Sequence, residues 1–266
     1  MPLSQPTSPG SARAPDPLRL GGLAWVRASG GTLTAAERRR LLAAIALGQW
    51  ENLVGRAKLA LGRIPTAAAR VDLSTFEVPD SEFAREAERA CRELPDGLVG
   101  HSYRTWLFGR ALAAIDGERL DAELFYCGSL LHDHGIATPV AGRDFTIASA
   151  ERTLTCASAA GVAQERAVLL ADAICVHITP GASVSRDGAL GCYLQWGAMV
   201  DGAGLRMWDV SPANVAEILR RHPRGDFKRE LSELMHAEAA AAPKGRFGLL
   251  VRCGLPLAVR LAPFPS

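Results

Sequence analysis

The strongest constraint on this chain is the period of its apolar residues. They recur at intervals of three and four through most of the sequence, while β-branched segments with strict alternation are almost absent. A 3.6-residue period buries one side of a helix and a two-residue period one side of a strand, so the expectation is an all-α fold. Leu42, Ala46, Trp50, Leu53 and Ala57 mark a long amphipathic helix over about 34–61, with Arg38, Arg39 and Arg40 on a solvated face. Phe83, Ala87, Ala90, Cys91 and Leu94 mark the next, capped by Asp80 or Ser81 and stopped by Pro95. Further helices are predicted over about 97–115, with Asp96 as cap, and over 121–133, with Gly135 as a left-handed residue beyond its end. Others cover about 148–160, 164–178 and 189–200, with a polar loop at 181–188. Ser211 and Pro212 open a helix to about 221, and 226–242 holds another, making nine or ten in all.

These elements divide the chain into a flexible tail over 1–20, N-terminal helices over 21–95, a helical core over 96–242 and an extension over 243–266. The N-terminal helices should pack on the core, because two amphipathic helices alone bury too little surface to be stable. The apolar run 247–261 is broken by Arg252, Pro256 and Arg260, so it is not a membrane span; it wraps the core or makes a contact in a homo-oligomer. Residues 1–17 are rich in Pro and Ser and lack the apolar stretch of a signal peptide, which gives the expectation of a cytoplasmic protein. Thirty basic against 28 acidic residues leave +2, too little for a nucleic-acid or anionic-membrane binder, and 6% aromatics are too few for base stacking. The expected partner is a small molecule. The six cysteines are widely spaced, with no Cys-x-x-Cys pair, and read as reduced thiols within the core.

The chemistry is carried by histidine and aspartate. His101 lies 31 positions before His132-Asp133, a separation that one antiparallel helical hairpin closes. Neutral imidazole with carboxylate suits a borderline divalent ion such as Zn²⁺, Fe²⁺ or Mn²⁺. His132 and Asp133 end one predicted helix, His177 lies in the last turn of another, and Asp201 ends a third before Gly202. Helix C-termini carry partial negative charge, so several meeting at one place favour a cation there. Taken singly, each residue also fits a satisfied core histidine or a polar helix end; taken together they point to a metal.

In this order, His101, His132-Asp133 and Asp201 resemble the HD-domain metal-dependent hydrolase superfamily. The segments HSYRTWLFG, LLHDHG, ICVHIT, LQWGAMVDGAG and RRHPRGDFK look like its subgroup related to cyanamide hydratase, over about residues 98–242. The resemblance implies an HD-domain helical bundle over 96–242 with added N-terminal helices. It also implies one divalent transition metal, Zn²⁺ first and Fe²⁺ or Mn²⁺ as alternatives, on His101, His132, Asp133 and Asp201. Asp133 would also orient water and His177 would act as acid or base. Arg104 would orient a ligand carboxylate or the substrate, Gln195 would line the pocket or be an ordinary polar helix residue, and Trp106 reads as core.

Two departures stand out. An apolar residue usually follows the dyad in the subgroup, whereas this chain has His134, which is exposed, an added ligand or a support to the ligands. Thr146 stands where relatives often carry Glu, which puts the shared reaction in question. The implied activity is a metal-dependent hydratase or hydrolase acting on a small nitrile-like substrate. The alternatives are a phosphohydrolase, with Arg104, Arg143 and Arg186 as candidate phosphate contacts; a two-metal enzyme; and a catalytically silent ligand-binding domain.

Overall fold

The structure is a computed structural model and describes residues 19–264. Among the described residues there is no strand, only two isolated bridge pairs, and the fold is all-α. The chain runs through α1 (Leu23–Ser29), α2 (Ala35–Ala60), α3 (Glu82–Cys91), α4 (Asp96–Asp116) and α5 (Ala122–Leu131). It continues with α6 (Phe145–Ala159), α7 (Gln164–Val176), α8 (Val184–Asp187) and α9 (Ala189–Ala203). It ends with α10 (Pro212–Arg221), α11 (Phe227–Ala241), α12 (Arg246–Arg252) and α13 (Leu255–Arg260). That makes thirteen α-helices rather than nine or ten. Those not expected, α1, α8, α12 and α13, have about two turns or fewer, too short to display a period.

Most expected boundaries hold. Thr34 caps α2 through a reciprocal pair with Glu37, Ser81 caps α3 and Ser211 caps α10. Three expectations need correction. Asp96 lies in the first turn of α4 rather than at its cap. Helix α6 starts three residues early, because Asp144 accepts a hydrogen bond from the Thr146 amide and the β-branched start disguises the first turn. Gly135 is not left-handed: it belongs to the 3₁₀ turn His134–Ala137, where a Cβ would come within 2.1 Å of the Phe145 carbonyl oxygen.

Helices α4 and α9 form the centre of the molecule. A Cβ on Gly197 would lie 2.4 Å from the Thr105 carbonyl oxygen, and one on Gly109 would lie 2.8 Å from that of Tyr193. The two glycines therefore allow the backbones to approach, and the crossing sets Asp201 of α9 against His101 and Arg104 of α4. Around this pair Phe83, Leu98, Phe108, Phe125 and Leu130 form one continuous core. A smaller cluster joins Leu23, Trp25 and Val26 of α1 to Ile147 and Ala150 of α6 and Ala171 and Cys175 of α7.

Arg246 is fully buried and pins α12 to both neighbours. It donates to Asp144 at the start of α6, to the Cys175 carbonyl at the end of α7 and to the Thr179 hydroxyl just beyond it. Of the expected tail, residues 1–18 lie outside the described ones, but Arg19 is buried and ion-paired with Asp172 and Asp187.

The long helix α2 reverses the expectation drawn from its pattern. Trp50 and Leu53 of the anticipated buried row are 62% and 61% exposed, and of its 26 residues only Leu41 and Gly55 are fully buried. The inward row instead carries Leu41, Ala44, Gly48 and Gly55, and it covers a cavity rather than a packed core. No helix of the described residues is long and apolar enough to cross a membrane.

Candidate metal centre

Three histidines from three helices meet at one carboxylate. His101 comes from the second turn of α4, while His132 and His177 are the residues that close α5 and α7. Each has its Nδ1 engaged: His101 with Asp201 Oδ2 at 2.7 Å, His132 with the Ser129 carbonyl at 2.9 Å, and His177 with the Ile174 carbonyl. A carbonyl oxygen only accepts, and so does an ionised carboxylate, so all three Nδ1 atoms carry the hydrogen. Each neutral ring then presents a bare Nε2 lone pair.

Those lone pairs converge. His101 Nε2 and His132 Nε2 lie 3.3 Å apart, and Asp133 Oδ2 lies 3.5 and 3.3 Å from them. His177 Nε2 faces the other oxygen, Oδ1, at 3.4 Å. Three acceptors with no donor among them repel one another unless a cation joins them. Bonds of 2.0–2.1 Å at the tetrahedral angle give donor–donor edges of about 3.3–3.4 Å, which match the observed separations. The buried set His101, His132 and Asp133 can therefore hold a metal ion, and its N₂O character suits a borderline divalent transition ion. Attachment of each Nδ1–H to a carboxylate or carbonyl is the support that orients metal-binding imidazoles elsewhere.

The electrostatics agree. Burial works against charge on Asp133, yet His132 and His177 hold its carboxyl well below the usual range. Burial lowers the pKa of His101 and of His177, outweighing Asp201 and Asp133 respectively. At His132 burial is overcome by Asp133 and the Ser129 carbonyl, and the pKa is raised. A proton on His132 would compete with a metal for the same donor atoms.

Asp201 stands apart from the other three. Expected as the fourth ligand, it is absent from the donor cluster because both its oxygens are occupied: Oδ2 by His101, Oδ1 by Arg104 Nε at 2.8 Å and by Arg224. It stands behind His101 and fixes that ring. Burial opposes its charge, but Arg104, His101 and Arg224 hold its pKa far down. Arg104, fully buried, also donates to the His222 and Pro223 carbonyls, and it does not line the cavity; of its two expected roles, the structure places it on a carboxylate rather than facing a substrate. Gln195 does line the cavity and donates to the Thr179 carbonyl at 2.9 Å. His134 points away, to Glu93 at 3.2 Å. Thr146 bonds to Asp144 and Arg246 rather than facing the centre, and Trp106 packs edge-on against Tyr126 in the core.

Sequence reasoning passed over Arg224 and Phe227, although both lie in the quoted RRHPRGDFK segment. The Phe227 ring stacks on His101 with centroids 4.8 Å apart and a 17° tilt, and both guanidinium groups lie against it. A cavity of about 480 Å³ opens on this centre, with His101, Asp133, His177 and Gln195 among its polar lining. The inner side of α2 and the segment from Phe247 to Val259 supply walls that the sequence reading had not assigned. All six cysteines are free and five are buried, as expected; the sixth, Cys253, is half-buried and lines the cavity. No protein-family model and no curated protein matches this chain.

Proposed function

We propose that the protein is a metal-dependent hydratase or hydrolase of the HD type, holding one divalent transition ion, with Zn²⁺ ahead of Fe²⁺ or Mn²⁺, and acting in the cytoplasm on a small neutral molecule with a C–N electrophile. The observation that carries this reading is the convergence of three bare Nε2 atoms on the Asp133 carboxylate at the end of a cavity. The bound ion would supply Lewis acidity, lowering the pKa of water from 15.7 toward ~7. His101, His132 and Asp133 would hold it, with Asp201 keeping the His101 tautomer.

His177 has the part of a proton carrier. Its Nδ1–H is fixed on the Ile174 carbonyl, which leaves Nε2 free to accept a proton from water and return it to the substrate. For a nitrile, the water oxygen bonds to carbon, the first proton passes through His177 to nitrogen, and the imidic acid tautomerises to the amide. Asp133 Oδ1, 3.4 Å from Nε2, stabilises the imidazolium between these transfers.

Phosphate-ester hydrolysis finds no comparable support. Arg206 is the one cation among the cavity-lining residues, and it is paired with Asp116 and Asp209. Arg143 and Arg186 pair with Glu151 and Asp187. A two-metal reading loses its extra ligand, because His134 faces Glu93. The test is metal analysis of purified wild type beside Asp133→Ala, followed by nitriles and phosphate esters as substrates. About one equivalent of metal in wild type, its loss in the variant and turnover of nitriles are expected. Wild type without stoichiometric metal, or a variant that retains it, overturns the assignment.

A further inference from the structure

The chamber over the donor cluster is far larger than a nitrile of three heavy atoms requires. At about 480 Å³ it lies within the range of roughly 300–1,000 Å³ typical of pockets that take drug-sized ligands. Outside the group at the metal centre, its polar side chains are Gln49, Glu51 and Arg206, all of them exposed or half-buried. Arg206 is held by two carboxylates and stacked on Trp196. The remaining side chains are apolar, among them Ile45, Met199, Trp208, Met235 and Phe247. Such walls leave water poorly bound and give an anion no free cation, while they favour carbon strongly.

We infer that the ligand of this chamber is a neutral molecule with an extended apolar body, an alkyl chain of several methylenes or an arylalkyl group, bearing a single small polar group that reaches the His101–Asp133–His177 end. This deepens the proposed metal-dependent reaction and rests on it for the role of the polar group, whereas the apolar body follows from the walls alone. Small residues on the inner row of α2 keep the space open. Gly48 lies seven residues after the buried Leu41 and seven before the buried Gly55, so all three share a face, and a Cβ on Gly48 would meet no atom within 4 Å.

The experiment titrates the full chain, as purified with its metal, with straight-chain primary carboxamides from acetamide to decanamide, which are product-like and are not hydrated further. Calorimetry or quenching of the cavity tryptophans gives each Kd. Affinity should rise about fourfold per added methylene until the chamber is full, as expected for transfer of a methylene from water to a hydrocarbon environment. An alkyl phosphate of equal length should bind at least about tenfold more weakly than the amide. Gly48→Phe should return decanamide to the affinity of a short amide while leaving acetamide unchanged. Kd values independent of chain length, or preferential binding of the phosphate, overturn the inference even if wild type itself decides it without a folded variant. Repeating the series after removal of metal by a chelator separates the two claims. A flat series in metal-loaded protein removes the apolar ligand and leaves the metal site standing; a rising series in protein that never held stoichiometric metal removes the metal reading and supports the apolar ligand.

Discussion

Asp201→Asn tests whether the buried carboxylate acts on the centre through His101. In wild type, Asp201 Oδ1 receives Arg104 and Arg224 while Oδ2 receives the His101 Nδ1–H. An asparagine must direct its oxygen toward the two guanidinium groups, since its NH₂ there would oppose two donors. The NH₂ then faces His101 Nδ1, which has to accept, and the ring hydrogen moves to Nε2. That tautomer has no lone pair for a metal. Restoring the useful tautomer breaks this bond and leaves two buried donors, Nδ1–H and the NH₂, facing each other, at a cost of about 1.5–3 kcal/mol, equivalent to roughly ten- to a hundredfold in affinity. The same range is typical when a supporting partner of a metal ligand is lost. Competition against a chromogenic chelator should therefore show Asp201→Asn binding Zn²⁺ about ten to a hundred times more weakly. Asp201→Ala, in which His101 is free to choose its tautomer, should lose less. Both variants leave two buried guanidinium groups without their carboxylate, at a cost of about 3–5 kcal/mol in urea unfolding. Unchanged Zn²⁺ affinity in Asp201→Asn refutes the tautomer argument. A loss as complete as that of Asp133→Asn would make Asp201 a ligand in its own right.

Three further outcomes follow from the packing. Glu238 is buried, with one oxygen on the Phe145 amide and the other unpaired, and burial, assisted by Asp144, lifts its pKa from 4.5 to about 7. Between those values the folded protein keeps a proton that the unfolded chain has released, so this group's contribution to stability falls as pH rises from about 4.5 to 7, by at most ~1.4 kcal/mol per pH unit. Glu238→Gln should flatten that part of the stability–pH curve relative to wild type; an identical slope in both proteins would remove Glu238 as its source. Gly197→Ala should destabilise by about 1–3 kcal/mol in urea, because its Cβ meets the Thr105 carbonyl, whereas Gly48→Ala should stabilise by about 0.5–1 kcal/mol through helix propensity; equal effects would refute the close-crossing account. Trp50→Gln should change stability by no more than about 0.5 kcal/mol, and a large fall in Tm would mean that the outer row of α2 is packed.

Period and capping residues together read correctly: the starts of α2, α3 and α10 and the approach of His101 to His132 were all legible. Period says less about direction. Helix α2 has apolar residues on two sides, and nothing in the sequence tells which row meets the protein. Arg246 illustrates another limit, because patterning places a charge outside unless its partners are known, and Asp144, Thr179 and the Cys175 carbonyl come from distant segments. In the candidate centre, residue type and order located His101, His132, Asp133 and His177 together. They could not separate a carboxylate inside the donor cluster from one behind it, since Asp201 has the same chemistry in both places and only its neighbours Arg104 and Arg224 set it apart.

One wall of the chamber is a helix that rests on Leu41, on its Thr34–Glu37 cap and on the face of Trp208 beneath Gly55, with little else fully buried along its 26 residues. Opening free energies within a fold are lowest where few apolar contacts are made. The limit on guest size is therefore elastic rather than steric: a longer molecule is resisted by the work of tilting α2, not by the incompressible core beneath the other walls. Occupancy by the proposed ligand should accordingly be recorded in the slowing of amide exchange along α2.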